Sequence, residues 1–308
     1  MKTNKIFAAL ATTLTLFAGM LATVPNAAAA PVTFTAFGTS TSFTNVAVDP
    51  ITGKVYVRSD YSTASVKVYA NAAAFASGTV LNTVTLAAPI YGSYFAVNNG
   101  QLYGRTSTST TAVATFSTAT GAITSTLAAY AGMGGVNFTD TFNWGGYSGA
   151  NFMQDYTGMY VFGGVAANSN WQIQKLDAGL ASSSTTIYNT ANQLGFGFII
   201  NGILFTGDSY SSGAVTTAMN LSTGTVSAVN DPFIGMGSNF YMSDFSYDYA
   251  SDTLYATNYY SNTFFKASNA SVQFNAPRAA EVPEPGSVML LGLGIAALTL
   301  ARRKQRSA

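Results

Sequence analysis

Apolar and polar residues alternate along the middle of the chain in short runs that are separated by turn-forming residues. Five segments share one design, in which an alternating strand, a tight turn with Gly, Asn or Asp, and a second strand with an apolar–aromatic pair follow one another. The segments are 46–57, 95–104, 152–161, 198–206 and 245–256, and the aromatic residues are Tyr56, Tyr103, Tyr160, Phe205 and Tyr255. Alternation with a period of two around such turns predicts β-hairpins.

A third strand follows each hairpin, and a fourth follows in most of the units. The third-strand segments are 66–69, 112–116, 171–176, 215–219 and 263–266. Four antiparallel strands that recur about every 50 residues are typical of propeller blades, so we predict an all-β fold, a β-propeller of about five four-stranded blades. The last unit lacks a full fourth strand, which residues 32–36 can supply to close the ring. A β-sandwich or a β-solenoid of similar hairpins is the alternative.

Two of the units also resemble a known repeat family. Leu-Tyr-Ala-Thr-Asn-Tyr-Tyr-Ser-Asn-Thr at 254–263, and Asp-Pro-Ile-Thr-Gly-Lys-Val-Tyr-Val at 49–57 with Ser-Val-Lys-Val-Tyr at 65–69, are similar to YVTN-type propeller repeats. The resemblance is good in units one and five and poor in the other three. It implies a propeller from a family that includes surface proteins and binding modules, and it implies no particular reaction.

The first 30 residues have the pattern of a secretory signal peptide. Lys2 and Lys5 precede an uncharged apolar run at 6–24, and four alanines at 27–30 offer small-residue cleavage sites. This arrangement of a basic start, an apolar centre and a small-residue end predicts export. We therefore expect the folded domain to occupy residues 31–280.

The last part of the chain, residues 281–308, combines a Pro-Glu-Pro motif, a short apolar helix and a basic end. Pro283, Glu284 and Pro285 precede an uncharged stretch at 286–301 that spans about 24 Å as a helix, short of a bilayer core of about 30 Å. The basic end at 302–308 begins with three consecutive cations: Arg302, Arg303 and Lys304. Such a cluster favours the cytoplasmic side, so the rest of the chain is expected outside.

These three parts, in this order, resemble the PEP-CTERM sorting signal. The resemblance implies an exosortase-type processing enzyme as a partner and a Gram-negative host that makes an exopolysaccharide. It also implies anchoring in the inner membrane in transit, followed by release to the cell surface or the extracellular matrix. An ordinary C-terminal membrane anchor is the alternative.

Charge and composition exclude several classes of function. Residues 31–280 contain seven basic and ten acidic residues, and no basic patch, so we predict no nucleic-acid partner. The chain has no histidine and no cysteine, and both glutamates, Glu281 and Glu284, lie in the tail segment. Catalytic triads, thiolate chemistry and His- or Cys-ligated metal sites are therefore ruled out. We predict a protein that is not an enzyme and has no cofactor and no metal site.

Aspartate is the acidic residue that remains in the domain. A carboxylate pair can hydrolyse a glycosidic bond, and the candidates in predicted loops are Asp60, Asp140, Asp208 and Asp244. Asp60 and Asp208 occupy matching places just after the second strands of units one and four. The alternative is that these residues cap backbone turns, as Asp often does. Asp248 and Asp252 flank another turn and give only a weak hint of calcium binding.

Aromatic residues in the loops at one face of the propeller could bind carbohydrate. The candidates are Trp144, Tyr147, Tyr91, Tyr94 and Tyr259, with Phe142, Phe240, Tyr241 and Tyr260 on the same predicted face. The loop at 132–151 is the longest and the richest in Gly and aromatics, and binding residues concentrate in long loops on rigid scaffolds. The alternative is that these rings pack between blades.

Together these patterns predict a non-enzymatic protein of the cell surface or matrix that adheres to exopolysaccharide in a biofilm. A glycan-active hydrolase or lyase that uses Asp, and a purely structural scaffold, are the two alternatives.

Overall fold

The computed structural model describes residues 31–39, 45–60, 62–107, 112–128, 130, 150–164, 170–177, 179–189, 194–209, 211, 213–237 and 241–276. The predicted signal helix at 1–30 and the predicted tail at 281–308, with its transmembrane helix, lie outside these residues. Neither of the two short helices in the described part of the chain has the length and apolarity to cross a bilayer.

The described chain is built almost entirely of β-strands. In chain order the strands are β1 (Val32–Thr33), β2 (Thr35–Thr39), β3 (Asn45–Val48), β4 (Val55–Arg58), β5 (Ser62–Tyr69), β6 (Val80–Asn98), β7 (Gln101–Arg105), β8 (Val113–Ser117), β9 (Ile123–Leu127), β10 (Asn151–Asp155), β11 (Gly158–Gly164), β12 (Asn170–Leu176), β13 (Ser182–Asn189), β14 (Phe196–Ile200), β15 (Ile203–Gly207), β16 (Ala214–Asn220), β17 (Val226–Ile234), β18 (Met242–Asp248), β19 (Thr253–Asn258) and β20 (Thr263–Ser268). The helices are α1 (Ala72–Ala76) and α2 (Ala270–Gln273).

These strands form five four-stranded units in the described residues. The strand orders of the five units are β3-β4-β5-β6, β6-β7-β8-β9, β10-β11-β12-β13, β14-β15-β16-β17 and β18-β19-β20-β2. The long strand β6 belongs to the first two units and joins them into one sheet. The prediction of an all-β, propeller-like fold is confirmed. We number the units one to five in this order.

All five units share one hairpin register. The aromatic residues of the repeat lie on the second strands, opposite first-strand residues, in the pairs Tyr56–Ala47, Tyr103–Ala96, Tyr160–Met153, Phe205–Phe198 and Tyr255–Ser246. The register shows that the predicted start of the fourth segment, Phe198, is one residue too late. The residue of unit four at the position of Phe95, Phe152 and Phe245 is Gly197. The tight hairpins at Asn99-Gly100 and Asn201-Gly202 have positive φ at both central residues, as Asn-Gly turns favour.

The first strands of the five units lie around a common axis. Each contacts the first strand of the next unit, and β18 of unit five returns to β3 of unit one. Val46 and Val48 donate backbone hydrogen bonds to Asp244 Oδ2 at 2.9 Å and to Ser246 Oγ at 3.1 Å, which join β3 to β18. Gln154 Nε2 of β10 donates to the carbonyls of Val48 at 3.0 Å and Val97 at 2.8 Å, which link three units.

Apolar side chains fill most of the space between these first strands. Phe95, Phe152, Phe198 and Phe245 line a cavity of about 10 Å³, together with Gln154 and Tyr247. A volume of that size is close to the least that a single water molecule needs. The axis is therefore closed to a saccharide at this level, and a ligand of that size must bind elsewhere.

The N-terminal segment completes the fifth unit, as the sequence predicts, but with a shift of three residues. Thr35–Thr39, and not 32–36, pairs antiparallel with β20, whereas Val32–Thr33 pairs in parallel with the outer strand of unit four. Val32 and Phe34 are buried, and Phe34 N donates to Ile234 O at 2.8 Å. The segment thus joins unit four to unit five and covers the edge of β20 that would otherwise be open.

A second contact holds the closing strand against unit one. Phe75 of α1 packs edge-on against Phe264 at a centroid distance of 4.7 Å, and Phe37 of β2 packs against Tyr255 at 5.4 Å. Asn71 caps α1 by accepting a hydrogen bond from Ala74 N at 2.9 Å. Ring closure therefore depends on aromatic packing as well as on strand pairing.

Candidate functional site

The strand directions give the molecule two faces. We call the upper face the end at which second strands finish and third strands begin, and the lower face the end at which first strands finish and second strands begin. Consecutive antiparallel strands place these turns at opposite ends of each unit. The connections from one unit to the next also start or end at the upper face.

Three tyrosines form a cluster on the upper face of unit five. Tyr241 precedes β18, and Tyr259 and Tyr260 follow β19. The ring centroids of Tyr241 lie 5.1 Å from those of Tyr259 and Tyr260, which are themselves 5.9 Å apart. Tyr260 is 64% exposed and Tyr259 is 37% exposed. Exposed rings with apolar faces and polar hydroxyls are suited to contact an amphipathic ligand such as a sugar.

A buried amide holds this cluster in place. Asn258, at the end of β19, is fully buried, and its Oδ1 accepts hydrogen bonds from the backbone of Tyr260 at 3.1 Å and Tyr241 at 3.3 Å. Tyr259 N donates to the carbonyl of Tyr241 at 2.8 Å. Asn and Asp side chains commonly bind nearby backbone groups in this way. The tyrosines therefore lie on a turn that is preorganised by the core of unit five.

The predicted site residues Tyr91, Asp60 and Asp208 lie on this same face. Asp60 is exposed just after β4, and Tyr91 is half-buried in β6, opposite Ser62 and Arg105. Asp208 is exposed just after β15, and its Oδ1 accepts from Thr216 Oγ1 at 2.7 Å. Units one and four are the neighbours of unit five in the ring, so Asp60 and Asp208 lie on either side of the tyrosine cluster rather than together.

The placement of Tyr94 at an open face is wrong. Its ring is 1% exposed and belongs to the core, where burial raises the pKa of its hydroxyl well above the usual value and the charge of Asp244 raises it further. Trp144 and Tyr147 lie outside the described residues, as do the sorting residues Pro283, Glu284, Pro285, Arg302, Arg303 and Lys304. Their roles stay predictions.

Two buried ionisable residues, Arg58 and Asp244, lie in the core near Tyr94. The prediction that Asp244 lies in a loop is wrong, because it is part of β18. Arg58 is fully buried, and its guanidinium donates to the carbonyls of Ile90 at 2.7 Å and Gly92, and to Asn45 Oδ1 at 3.2 Å. The guanidinium also lies over the Phe95 ring at 4.9 Å. In the sequence, this buried arginine could have been recognised by its position at the end of the otherwise apolar strand β4.

Burial controls the ionisation of this pair. Desolvation lowers the pKa of Arg58 to about 10, although the nearby charges of Asp244 and Asp60 oppose that shift. Desolvation also raises the pKa of Asp244 well above its usual value, against the opposing effects of Val46 N and Arg58. The pair is enclosed in the protein, so its role is to join units one and five rather than to meet a ligand.

Other aspartates act in turns at the lower face. Asp49 accepts from Asn99 N at 3.2 Å and Gly100 N at 3.4 Å, and Asp155 accepts from Gly202 N at 2.5 Å, so that each binds the turn of the following unit. Asp248 and Asp252, the weak calcium candidates, accept hydrogen bonds from neighbouring groups that include Ser251 and Ser271. Within the described ranges no group of three or more acidic residues is arranged to hold a metal ion.

The Asp244 carboxyl gives an expected pH dependence of stability. Its folded pKa is raised above the unfolded value, so the folded state binds more protons and the free energy of unfolding falls as pH rises from about 4 through the folded pKa. Burial raises the pKa of Asp155 and Asp231 in the same direction. Asp244→Asn should therefore make the slope of unfolding free energy against pH shallower between pH 4 and 7, as measured by urea denaturation. An unchanged slope would contradict the assignment.

The fold and the exposed tyrosine turn together define a propeller-like, all-β protein with a candidate binding face. The chain belongs to the olfactomedin-like domain family, whose sequence pattern it matches over residues 35–270. Residues 281–305 match the PEP-CTERM protein-sorting motif. The protein is thus exported and sorted at the membrane by way of an exosortase, as the tail predicts.

Comparison with solved structures gives distant likenesses. The crystal structure of Myxococcus xanthus glutaminyl cyclase is 13% identical, with a TM-score of 0.48, and the match covers 77% of this chain and 97% of that one. The structure of BamB from Moraxella catarrhalis is 15% identical, with a TM-score of 0.36, over 71% of this chain and 62% of that one. A search of curated protein sequences finds no match.

Proposed function

We propose that this protein is a non-enzymatic adhesion module that binds exopolysaccharide through the tyrosine cluster on its upper face. In this proposal a signal at residues 1–30 directs export, and processing of the tail delivers the domain to the cell surface or the matrix of a biofilm. The observation that carries the proposal is the exposed, preorganised turn of Tyr259 and Tyr260 against Tyr241.

The geometry of the turn supports binding. Tyrosine provides a large contact area at a small loss of conformational entropy, which is why it is enriched in recognition surfaces. Because Asn258 already orders the turn, little further ordering is needed when a ligand binds. The likeness of units one and five to YVTN-type repeats adds support, since that repeat family includes surface binding modules.

The positions of the carboxylates favour binding over glycoside hydrolysis. A hydrolase needs two carboxyl groups on either side of one glycosidic bond. Asp60 and Asp208 belong to units that flank unit five, and Asp208 accepts a hydrogen bond from Thr216. Asp244 is enclosed beside Arg58. The hydrolase is therefore the weaker of the two functions.

Removal of the most exposed ring should weaken the interaction with exopolysaccharide. We expect Tyr260→Ala to raise the apparent dissociation constant at least about tenfold, because truncating an aromatic anchor at an interface costs upwards of about 1.4 kcal/mol. The measurement is co-sedimentation of the exported full chain with the host's own exopolysaccharide. Trp144→Ala, in the long loop of the same predicted face, is measured alongside.

The matched control is Ile51→Ala. Ile51 is 58% exposed, but it lies in the turn between β3 and β4 on the lower face. The Ile51→Ala variant should therefore bind exopolysaccharide as tightly as the wild type. If the wild-type protein does not bind, or if Ile51→Ala weakens binding as much as Tyr260→Ala, the adhesion function is wrong.

A further inference from the structure

We infer that the lower face is the surface that meets the bilayer while the sorting tail anchors the chain in the membrane. The inference rests on the tail of the proposed function, which matches the PEP-CTERM motif, but it does not depend on the polysaccharide. The partner is the layer of lipid headgroups. Two features of the described residues carry the inference: the place where the chain leaves the domain, and the distribution of exposed aliphatic side chains.

The chain leaves the domain at the lower face. Helix α2 follows the lower end of β20, and Ser271 N and Oγ donate to the carboxylate of Asp252, in the turn between β18 and β19, at 2.9 and 2.8 Å. Ala276, the last described residue, is fully buried, and its carbonyl accepts from Asn201 Nδ2 at 2.6 Å. Asn201 belongs to the turn between β14 and β15. Lower-face turns of two units therefore hold the end of the domain.

Aromatic packing fixes this exit in position. Phe274 is buried, and its ring centroid lies 5.0 Å from that of Phe198 and 5.1 Å from that of Phe205. Both partners belong to the first hairpin of unit four, whereas α2 follows the third strand of unit five. The segment after Ala276 thus starts from a fixed point of the lower face.

The tether between this point and the apolar stretch of the tail is short. Nine residues, 277–285, precede the stretch at 286–301, and nine residues span at most about 32 Å when fully extended. The six residues of β19 alone rise about 20 Å from the lower to the upper face. A domain of this size also has a radius of gyration of about 18 Å. The tether would need nearly its full length to pass the side of the domain, so it favours the lower face at the bilayer.

Exposed aliphatic side chains gather at the lower end of the described units. Val80, Ile123 and Val226 are the first residues of β6, β9 and β17, and all three are exposed. These are fourth strands, which begin at the lower face where the third strands finish. Ile234, at the upper end of β17, is the exception among the large exposed aliphatic residues in the described ranges. We call the following set the aliphatic rim: Ile51, Val80, Leu81, Ile123, Val226 and Val272.

The aliphatic rim suits a lipid surface. Exposed apolar side chains that gather on one side of a domain mark contacts with proteins or membranes, and aliphatic groups are stabilised at the boundary between headgroups and acyl chains. The tether places a bilayer within reach of the rim, which favours lipid over a second copy of the domain. With the lower face on the bilayer, Tyr259 and Tyr260 point away from it. The tyrosine cluster is then open to a ligand before the tail is processed.

Single cysteines test the orientation, because the chain itself contains none. The labelling sites are exposed serines in two matched pairs, each with a lower-face and an upper-face member: Ser268→Cys with Ser261→Cys in unit five, and Ser222→Cys with Ser211→Cys in unit four. The exported full chain, tail included, is reconstituted into vesicles of phosphatidylcholine and phosphatidylglycerol that carry acceptor-labelled headgroups in both leaflets. Energy transfer from a fluorophore on each cysteine to these headgroups is measured without polysaccharide.

We expect the transfer efficiency from the lower-face cysteine to exceed that from the upper-face cysteine at least about twofold in each pair, because a strand of six or seven residues separates the two sites by about 20 Å. Equal transfer within either pair, or stronger transfer from an upper-face cysteine, would overturn the inference.

A longer tether tests the cause of the orientation. Insertion of about twenty Gly and Ser residues after Ala280 gives the tether a longer and flexible reach, so the ratio within each pair should fall toward one. A ratio that the insertion leaves unchanged would overturn the role of the tether. Because the vesicles contain no polysaccharide, a failure of the proposed adhesion leaves the expected ratio as it is, and equal transfer leaves the adhesion test as it is.

Discussion

Deletion of residues 31–39 is expected to abolish cooperative folding at 37 °C. The deletion removes β1 and β2, exposes the outer edge of β20, and takes away the buried side chains of Val32 and Phe34. Burial of each large apolar side chain contributes about 1.5–3 kcal/mol, and a domain is stable by only about 5–15 kcal/mol. An open edge also invites pairing with another chain. We therefore expect loss of the thermal transition in circular dichroism, and oligomers in gel filtration.

A point substitution in the same segment provides the control. Thr39 is the exposed last residue of β2. Thr39→Ala keeps every strand in place, so the unfolding free energy should change by less than about 0.5 kcal/mol. If the deleted protein unfolds cooperatively within about 1 kcal/mol of the wild type, then the N-terminal strands do not close the ring.

Arg58→Met should destabilise the protein by about 2–6 kcal/mol, because each of two buried carbonyl acceptors that loses its donor costs about 1–3 kcal/mol. The substitution leaves Asp244 without its nearby buried cation, and it leaves the carbonyls of Ile90 and Gly92 without the guanidinium donors. Urea denaturation at pH 7 measures the change in unfolding free energy.

Two further variants make the Arg58 prediction specific. Lys67→Met, at an exposed position of β5, should change stability by less than about 0.5 kcal/mol. The combination of Arg58→Met with Asp244→Asn should be less destabilising than the sum of the single changes, because the two residues interact. Strict additivity would mean that Arg58 and Asp244 act independently.

The repeat design and the closing segment could be predicted from sequence because both depend on local patterns. Asn-Gly turns and period-2 alternation specify hairpins over about ten residues, and the aromatic positions of all five second strands share one register. The errors are small shifts. Gly197 replaces a phenylalanine at its position, and the closing strand starts at Thr35 because Phe34 is anchored to Ile234 of unit four. Such anchoring is a contact between distant residues that a local pattern does not encode.

The candidate site was only partly predictable. The sequence analysis places both Tyr91 and Tyr94 in the loop that enters unit two. The chain instead passes from unit one to unit two within the single strand β6, so that Tyr94 turns into the core and Tyr91 stays at the surface. The tyrosine turn could be predicted because it directly follows a recognisable second strand. The supporting role of Asn258 and the interaction of Arg58 with Asp244 depend instead on contacts between segments that are separated in sequence.

Hydroxyl-radical footprinting of the exported full chain, with and without the host's exopolysaccharide, tests the central claim most directly. Tyr259 and Tyr260 are exposed on the upper face, whereas Tyr156 and Ile51 lie in lower-face turns and serve as internal references. We predict that the polysaccharide protects Tyr259 and Tyr260 from oxidation and leaves both references unchanged. Protection of the lower-face residues, or saturating binding without protection of the tyrosine turn, would contradict the account.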